Sequence, residues 1–152
     1  MQALRLFAEQ GYIETTVKQI ADASDVSPST FHEYFSNKEA VVLHDDMAPL
    51  ITRAFQAQPA ELNTTHALHQ ALKIVFSGLP AGQLAREQKK SELMHDVPEL
   101  HGARLGGVAR NINMFTKLIT TRSGHATNDA TAHVMADSIS GDIERIFSEG
   151  VR

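Results

Sequence analysis

Apolar residues recur every three or four positions along most of the chain, which is the spacing of one face of an α-helix. The pattern predicts three short helices near the start of the chain and longer helices after them. No segment shows the strict alternation of apolar and polar residues that is typical of a half-buried β-strand. We therefore predict an all-α protein. The predicted helices span about 1–10, 17–24, 28–35, 38–57 (with a kink or restart at Pro49), 65–77, 83–95, 97–121 and 130–148.

The first three predicted helices carry clear start and stop signals. Gly11 is a natural helix stop, because glycine adopts positive φ without a steric penalty. Thr16 can cap the second helix through its side-chain oxygen, and Ser27 followed by Pro28 is a strong start signal for the third. Two short helices joined by a tight turn and packed on a third predict a helix-turn-helix.

The third predicted helix has one apolar and one polar side. At about 100° per residue, Phe31, Tyr34 and Phe35 cluster on one side of the helix. The opposite side carries short or polar residues, which are Ser29, Thr30, His32 and Glu33. Side chains of this kind contact base edges in a DNA major groove. The pattern indicates a helix that buries its aromatic side and presents its polar side to DNA.

The residues of this helix-turn-helix closely resemble those of the tetracycline-repressor (TetR) family. The resemblance is continuous over about residues 3–45, and it is carried by ALRLFAEQGY (3–12), TTVKQIA (15–21), VSPSTF (26–31) and YFSNKE (34–39). Many fixed spacings match together, which makes the resemblance highly specific. It implies a dimeric regulator, usually a repressor, in which a small molecule binds the variable helical domain and moves the two DNA-binding heads apart.

The resemblance also implies a role for individual residues. Lys18 matches a groove-contacting position on the helix before the base-contacting one. The residues that match the base-contacting helix are Ser29, Thr30, His32 and Glu33, and those that match positions near phosphate are Thr16, His32, Tyr34 and Lys38. The N-termini of the helices at Thr16 and Lys38 could also hold phosphates through free backbone N–H groups. The candidate DNA-binding residues are Thr16, Lys18, Ser27, Pro28, Ser29, Thr30, His32, Glu33, Tyr34 and Lys38.

The predicted DNA-binding segment, residues 1–45, is called the head below, and it departs from the family pattern in three ways. Met1 falls where the family is already within its first helix, so we expect a truncated first helix that lacks the usual basic residues. Asp25 occupies a turn position where glycine is usual and must adopt a left-handed conformation. Glu33 stands where an aromatic residue is common. Its carboxylate could accept a hydrogen bond from cytosine, or it could repel phosphate, and both alternatives remain open.

The charge of the head qualifies the prediction of DNA binding. Residues 1–45 contain three basic and seven acidic residues, and the net charge of the chain is −4. Cations that neutralise phosphates drive much of DNA affinity by releasing counterions. An acidic head therefore predicts weak DNA binding unless upstream residues restore the missing cations. The alternative function is that of a TetR-fold ligand-binding or partner-binding protein with weak or lost DNA affinity.

Residues 46–152 are expected to form a helical ligand-binding and dimerisation domain, which follows a DNA-binding domain at 1–45. The expected partners are double-stranded DNA with a pseudo-palindromic operator, a small apolar effector and a second copy of the chain. Soft or aromatic residues on inner helix faces line apolar pockets, although they line ordinary cores more often. The candidate ligand-binding residues are Met47, Phe55, Phe76, Met94, Met114, Phe115 and Met135.

Other functional classes find little support in the sequence. The chain has no cysteine, which excludes disulfides and thiolate metal sites and predicts a reducing, cytoplasmic environment. No apolar run approaches the length of a membrane span, and no P-loop or G-x-S-x-G motif is present. We therefore expect no enzyme activity, cofactor, metal or membrane contact. His66 and His69, and the charged run at 86–90, are interpreted as solvated surface.

Overall fold

The computed structural model describes residues 2–124 and 129–149, and every regular element among them is helical, which confirms the predicted all-α class. None of the described helices is long and apolar enough to cross a membrane. A single 3₁₀ turn at Pro98–Leu100 connects the seventh helix to the eighth. The α-helices are α1 (Gln2–Gln10), α2 (Val17–Ala23), α3 (Pro28–Tyr34), α4 (Lys38–Leu43), α5 (Met47–Gln56), α6 (Thr64–Gly78), α7 (Ala81–Asp96), α8 (His101–Ser123) and α9 (Ala130–Glu149).

The predicted caps of α2 and α3 are present. The side-chain oxygen of Thr16 accepts a hydrogen bond from the backbone N–H of Gln19 at 3.2 Å, and the Gln19 side chain accepts one from the Thr16 N–H at 2.8 Å. Ser27 accepts from the N–H of Thr30 at 3.0 Å, and Pro28 follows it as the first residue of α3. These bonds satisfy backbone donors that have no partner inside the helix.

The turn between α2 and α3 confirms the left-handed conformation expected of Asp25, whose φ is 55°. Its backbone N–H donates to the carbonyl of Asp22 at 3.2 Å, and the N–H of Val26 donates to the carbonyl of Ala21 at 3.1 Å. Gly11 ends α1 at a φ of 90°, also as predicted. The two turns together arrange the first three helices as a helix-turn-helix head.

The long helix predicted from residue 38 is two helices, and they separate before Pro49. α4 ends at Leu43, and the side chain of Asp45 accepts hydrogen bonds from the N–H groups of Met47 at 2.8 Å and Ala48 at 2.9 Å. Pro49 is the third residue of α5, where a missing N–H costs no intrahelical hydrogen bond. The predicted restart therefore occurs, but the capping carboxylate places it upstream of the proline.

Two apolar cores hold the described helices together. The core of the C-terminal helical bundle is built from α5, α6, α8 and α9. The core of the head is built from α1 to α4, and two residues from beyond the head complete it, namely Leu93 of α7 and Leu100 of the 3₁₀ turn. Leu100 is fully buried. The head is therefore attached to the rest of the protein by apolar packing against α7 and the 3₁₀ turn, as well as by the chain at residues 44–46, which leads into α5.

Candidate DNA-binding face and ligand cavity

The polar side of α3 lies at the surface, as its pattern predicts. Ser29, His32 and Glu33 are exposed and Thr30 is half-buried. On the opposite side Phe31 is 6% exposed and contacts Phe35, with ring centroids 5.7 Å apart. Contact between this polar side and DNA stays a prediction. The predicted residues that begin α2 and α3, which are Thr16, Ser27 and Pro28, are exposed as well.

Tyr34 is placed differently from the helical pattern. Its spacing groups it with the buried Phe31, yet Tyr34 is 77% exposed. Tyr34 is the last residue of α3, and the residue that contacts Phe31 is Phe35, which follows the helix in an extended conformation with φ of −135° and ψ of 127°. Helical spacing alone did not distinguish these two aromatic residues. The exposed hydroxyl suits the position near phosphate that the family resemblance implies for this residue.

The side chain of Lys38 forms hydrogen bonds within the head, and the phosphate contact expected of this residue stays a prediction. Its ammonium donates to the backbone carbonyls of Tyr12 at 2.6 Å, Ile13 at 3.0 Å and Thr15 at 3.0 Å. The nitrogen also lies 4.4 Å from the centre of the Tyr12 ring. An ammonium has three hydrogens, so no hydrogen remains for a phosphate oxygen. The ion instead fastens the start of α4 to the loop between α1 and α2.

Lys18 is the cation of the described head that remains available to DNA. Arg5 forms an ion pair with Glu9 at 3.0 Å on the exposed side of α1. The ammonium of Lys38 donates its hydrogen bonds to backbone carbonyls. Lys18 is exposed on α2, and no described residue forms a hydrogen bond or ion pair with its side chain. The head therefore offers even less positive charge to DNA than its sequence indicates, because Arg5 and Lys38 already have partners within the head.

A cavity of about 360 Å³ lies between the end of α4 and helices α5, α7, α8 and α9. Its volume is within the range of small-molecule binding sites. Four of the seven predicted ligand-binding residues line it, namely Met47, Met94, Met114 and Phe115. Further apolar wall residues are Ile51, Val108, Ile143 and Phe147.

The other three predicted ligand-binding residues do not line this cavity. Phe55 lies in the bundle core, where the guanidinium of Arg122 sits 5.4 Å from its ring centre. Phe76 contacts Phe147 at a centroid distance of 5.8 Å, and Met135 packs against the same core. All three occupy inner helix faces, as predicted. Helical spacing identifies an inner face, but it does not distinguish a residue that packs against another helix from one that faces a cavity.

The charged part of the cavity wall was missed by the sequence interpretation of residues 86–90 as solvated surface. Lys90 is 1% exposed and Glu87 is 8% exposed, and both line the cavity. Burial raises the pKa of the Glu87 carboxyl, and the hydrogen bond and charge of Lys90 oppose that rise. A signal was present in the sequence, because Glu87, Lys90 and Met94 follow the spacing of a buried helical stripe.

Comparisons with known proteins agree with both parts of this architecture. A family model described as bacterial regulatory proteins, tetR family, matches residues 2–44, and a model described as the MftR C-terminal domain matches residues 62–142. The chain is 39% identical over 85 residues to the HTH-type transcriptional regulator TcmR of Streptomyces glaucescens. That match covers 55% of this chain and 38% of the relative, so it spans well under half of the relative's length.

Two other comparisons cover most of the chain. The putative mycofactocin biosynthesis transcriptional regulator MftR of Mycobacterium tuberculosis is 24% identical over 141 residues, which are 91% of this chain and 71% of that protein. The crystal structure of regulatory protein TetR from Rhodobacter sphaeroides has the same fold, with a TM-score of 0.53 and 21% identity over 97% of this chain and 88% of that one. With family models matching both its head and its helical bundle, the chain belongs to the tetR family of bacterial regulatory proteins.

Proposed function

We propose that this chain is a homodimeric repressor that binds a pseudo-palindromic operator through α3 and releases it when a small, largely apolar effector fills the cavity. The observation that carries the DNA-binding part is the exposed polar side of α3, which displays Ser29, His32 and Glu33 while Phe31 anchors the helix. In the proposed complex these side chains contact base edges in the major groove. Lys18 on α2 supplies the nearby positive charge.

The proposed response to an effector depends on α4, which belongs to both functional parts. Val41 and Val42 are buried in the core of the head. Val42, Leu43 and His44 also line the cavity. A ligand that fills the cavity therefore touches the helix that supports the head, and a small shift of α4 moves α3 relative to the bundle. Since the packed core of the head resists deformation, we expect the head to move as a unit.

The proposed dimer forms through the outer side of α9. Val134 is 64% exposed although it is a large apolar residue. Ser138 and Gly141 follow it at helical spacing and are also exposed. Small residues on one helix face allow a second helix to approach closely, and an exposed apolar residue beside them gains from being covered. A dimer of this kind would place two heads on the two halves of an operator.

A second candidate function is ligand or partner binding without DNA recognition. Two observations favour it: the acidic balance of residues 1–45 and the internal engagement of the Lys38 ammonium. Both reduce the positive charge that a DNA backbone requires. The two functions differ in a single property, which is sequence-specific affinity for duplex DNA.

The deciding experiment is fluorescence anisotropy with labelled duplex from the DNA upstream of the gene, compared with a scrambled duplex over a series of salt concentrations. We expect tight binding to the native duplex alone, with an affinity that falls as salt rises. The variant His32→Ala should lose roughly tenfold or more in affinity, as expected for one base contact. The control His66→Ala changes an exposed histidine on α6 and should bind normally. Equal and feeble binding to both duplexes would contradict DNA recognition and favour the second function.

A further inference from the structure

The buried ammonium on the cavity wall is already satisfied by protein acceptors. The buried ammonium of Lys90 donates to the carbonyl of His44 at 2.8 Å, to a carboxylate oxygen of Glu87 at 2.9 Å and to Asp46 at 3.4 Å. These three acceptors use all three hydrogens of the ammonium. An anionic ligand would therefore have to displace a protein acceptor in order to bind Lys90.

The other cations near the cavity offer an anion little more. Arg104 forms an ion pair with Glu144 at 3.4 Å. Arg110 lines the cavity but is exposed, so its charge is hydrated and an ion pair there would contribute little to affinity. The uncharged polar residues of the wall, Ser91 and Asn111, are half-buried. The interior of the cavity thus favours a ligand that carries no charge.

Glu87 provides the buried polar atom that a ligand could satisfy. One of its oxygens, Oε1, accepts the hydrogen bond from Lys90, and no described residue donates to the other oxygen, Oε2. Glu87 is 8% exposed and lines the cavity, and solvent reaches Oε2, so this oxygen is accessible to a small ligand. A carboxylate oxygen in such a place is a strong acceptor of a hydrogen bond.

The neighbouring ammonium decides which donor suits this oxygen. A ligand cation on Oε2 would lie beside the Lys90 ammonium, which is bonded to the same carboxylate, and the two positive charges would repel each other in a site with little water. A hydroxyl group donates a hydrogen bond without adding charge. The apolar wall formed by Met47, Met94 and Met114 then accommodates the rest of the molecule.

Resting on the effector role proposed above, we infer that the cavity takes an uncharged, largely apolar ligand whose hydroxyl group donates a hydrogen bond to Oε2 of Glu87. This class excludes fatty acids and other carboxylates as well as hydrophobic amines. The role of Lys90 is to hold the Glu87 carboxyl in place through its hydrogen bond to Oε1, which leaves Oε2 for a ligand.

The test compares four probes of one shape by isothermal titration calorimetry near neutral pH: naphthalenemethanol, methylnaphthalene, naphthylmethylamine and naphthoic acid. The alcohol should bind about tenfold more tightly than the hydrocarbon, because it adds one hydrogen bond to a charged acceptor. It should also bind more tightly than the protonated amine and the carboxylate. The inference is overturned if either ion matches the alcohol, if the hydrocarbon does, or if no probe binds up to its solubility limit.

A variant tests the assignment to Glu87 itself. In Glu87→Gln the amide oxygen must face Lys90, because an ammonium only donates, and the amide NH₂ group then faces the cavity. The ketone acetonaphthone, which can only accept a hydrogen bond, should therefore bind about tenfold more tightly to the variant than to the original chain. The control is Glu92→Gln, since Glu92 is exposed on the same helix and pairs with Lys89 at 3.1 Å. Unchanged ketone affinity in a folded Glu87→Gln variant would contradict the assignment.

The calorimetry involves no DNA, so it separates this inference from the proposed function. If the alcohol is preferred as expected but leaves operator affinity unchanged, the ligand class stands and the effector role fails. If operator binding is specific while the probes show no preference for the alcohol, the DNA-binding role stands and the ligand class fails. Should Glu87→Gln not fold, the four probes on the original chain decide the ligand class by themselves.

Discussion

Asp25 shows how one residue sets the geometry of the head. It holds a φ of 55° at the point where α2 gives way to α3. A left-handed conformation costs an ordinary L-residue roughly 1–2 kcal/mol, because Cβ approaches the following carbonyl, and aspartate tolerates it better than most residues. Glycine would remove the contact altogether. The turn therefore retains some backbone strain in the element that determines the angle of α3.

We expect Asp25→Gly to raise the free energy of unfolding by about 0.5 kcal/mol, because the relief of strain exceeds the added chain entropy of glycine. The matched control is Asp22→Gly, a change of the same side chain at an exposed position within α2. That variant should lose up to about 1 kcal/mol, since glycine is a poor helix former. Urea denaturation measures both values. A loss of stability in both variants would show that the Asp25 side chain is favourable where it stands.

At the scale of elements, α4 is held from both ends by lysines that come from different parts of the sequence. Lys38, its first residue, donates to carbonyls of the loop between α1 and α2. Lys90 of α7 donates to the carbonyl of His44, the residue that follows α4. A helix of six residues has little stability of its own. The position of α4 therefore depends on these two ammonium groups and on its buried valines.

Removing the charge of Lys38 should affect the stability of the head, whereas removing the charge of Lys18 should affect its affinity for DNA. Lys38→Met should lower the free energy of unfolding by about 2 kcal/mol, because half-buried carbonyls lose a charged donor. Lys18→Met should leave stability within about 0.5 kcal/mol, but it should weaken binding to every duplex and reduce the salt dependence by about one counterion. Denaturation and anisotropy measure the two effects. A stable Lys38→Met variant with weakened DNA binding would contradict the structural role of the lysine and support the phosphate contact instead.

At the scale of the whole molecule, the two cores share elements instead of standing apart. Leu93 and Leu100 complete the core of the head, although they follow it by about fifty residues of sequence. The cavity lies directly beside this junction, with α4 in its wall. An event in the bundle therefore has a short, packed route to the head. A flexible linker in the same place would have left the two parts uncoupled.

The proposed dimer makes a prediction at the same scale. Val134→Glu should shift the chain from dimer to monomer in sedimentation equilibrium, because a carboxylate within the contact between two helices would be buried without a partner. The control is Ile74→Glu, which changes another large exposed apolar residue, on α6. That variant should sediment as the original chain does. If Val134→Glu leaves the association state unchanged, the dimer does not form through this side of α9.

The sequence by itself determined the helices, the caps and the family. Thr16 and Ser27 bond to backbone groups only three residues away, and Gly11 and Asp25 adopt positive φ for reasons internal to a turn. Caps and turns of this kind depend only on residues that are neighbours in the sequence, so the local pattern of residues predicts them. The exposed polar side of α3 follows from the same local periodicity.

Only the tertiary structure decided what each inward-facing or charged side chain touches. Lys38 finds its acceptors 23 to 26 residues away, and Lys90 finds the His44 carbonyl 46 residues away. Met114 faces a cavity while Phe55, equally apolar and on an inner face, fills the core. The burial of a charge is tolerated only where folding brings partners to it, and those partners are scattered along the chain. That dependence on distant groups is why helical periodicity predicted the head so much better than the cavity.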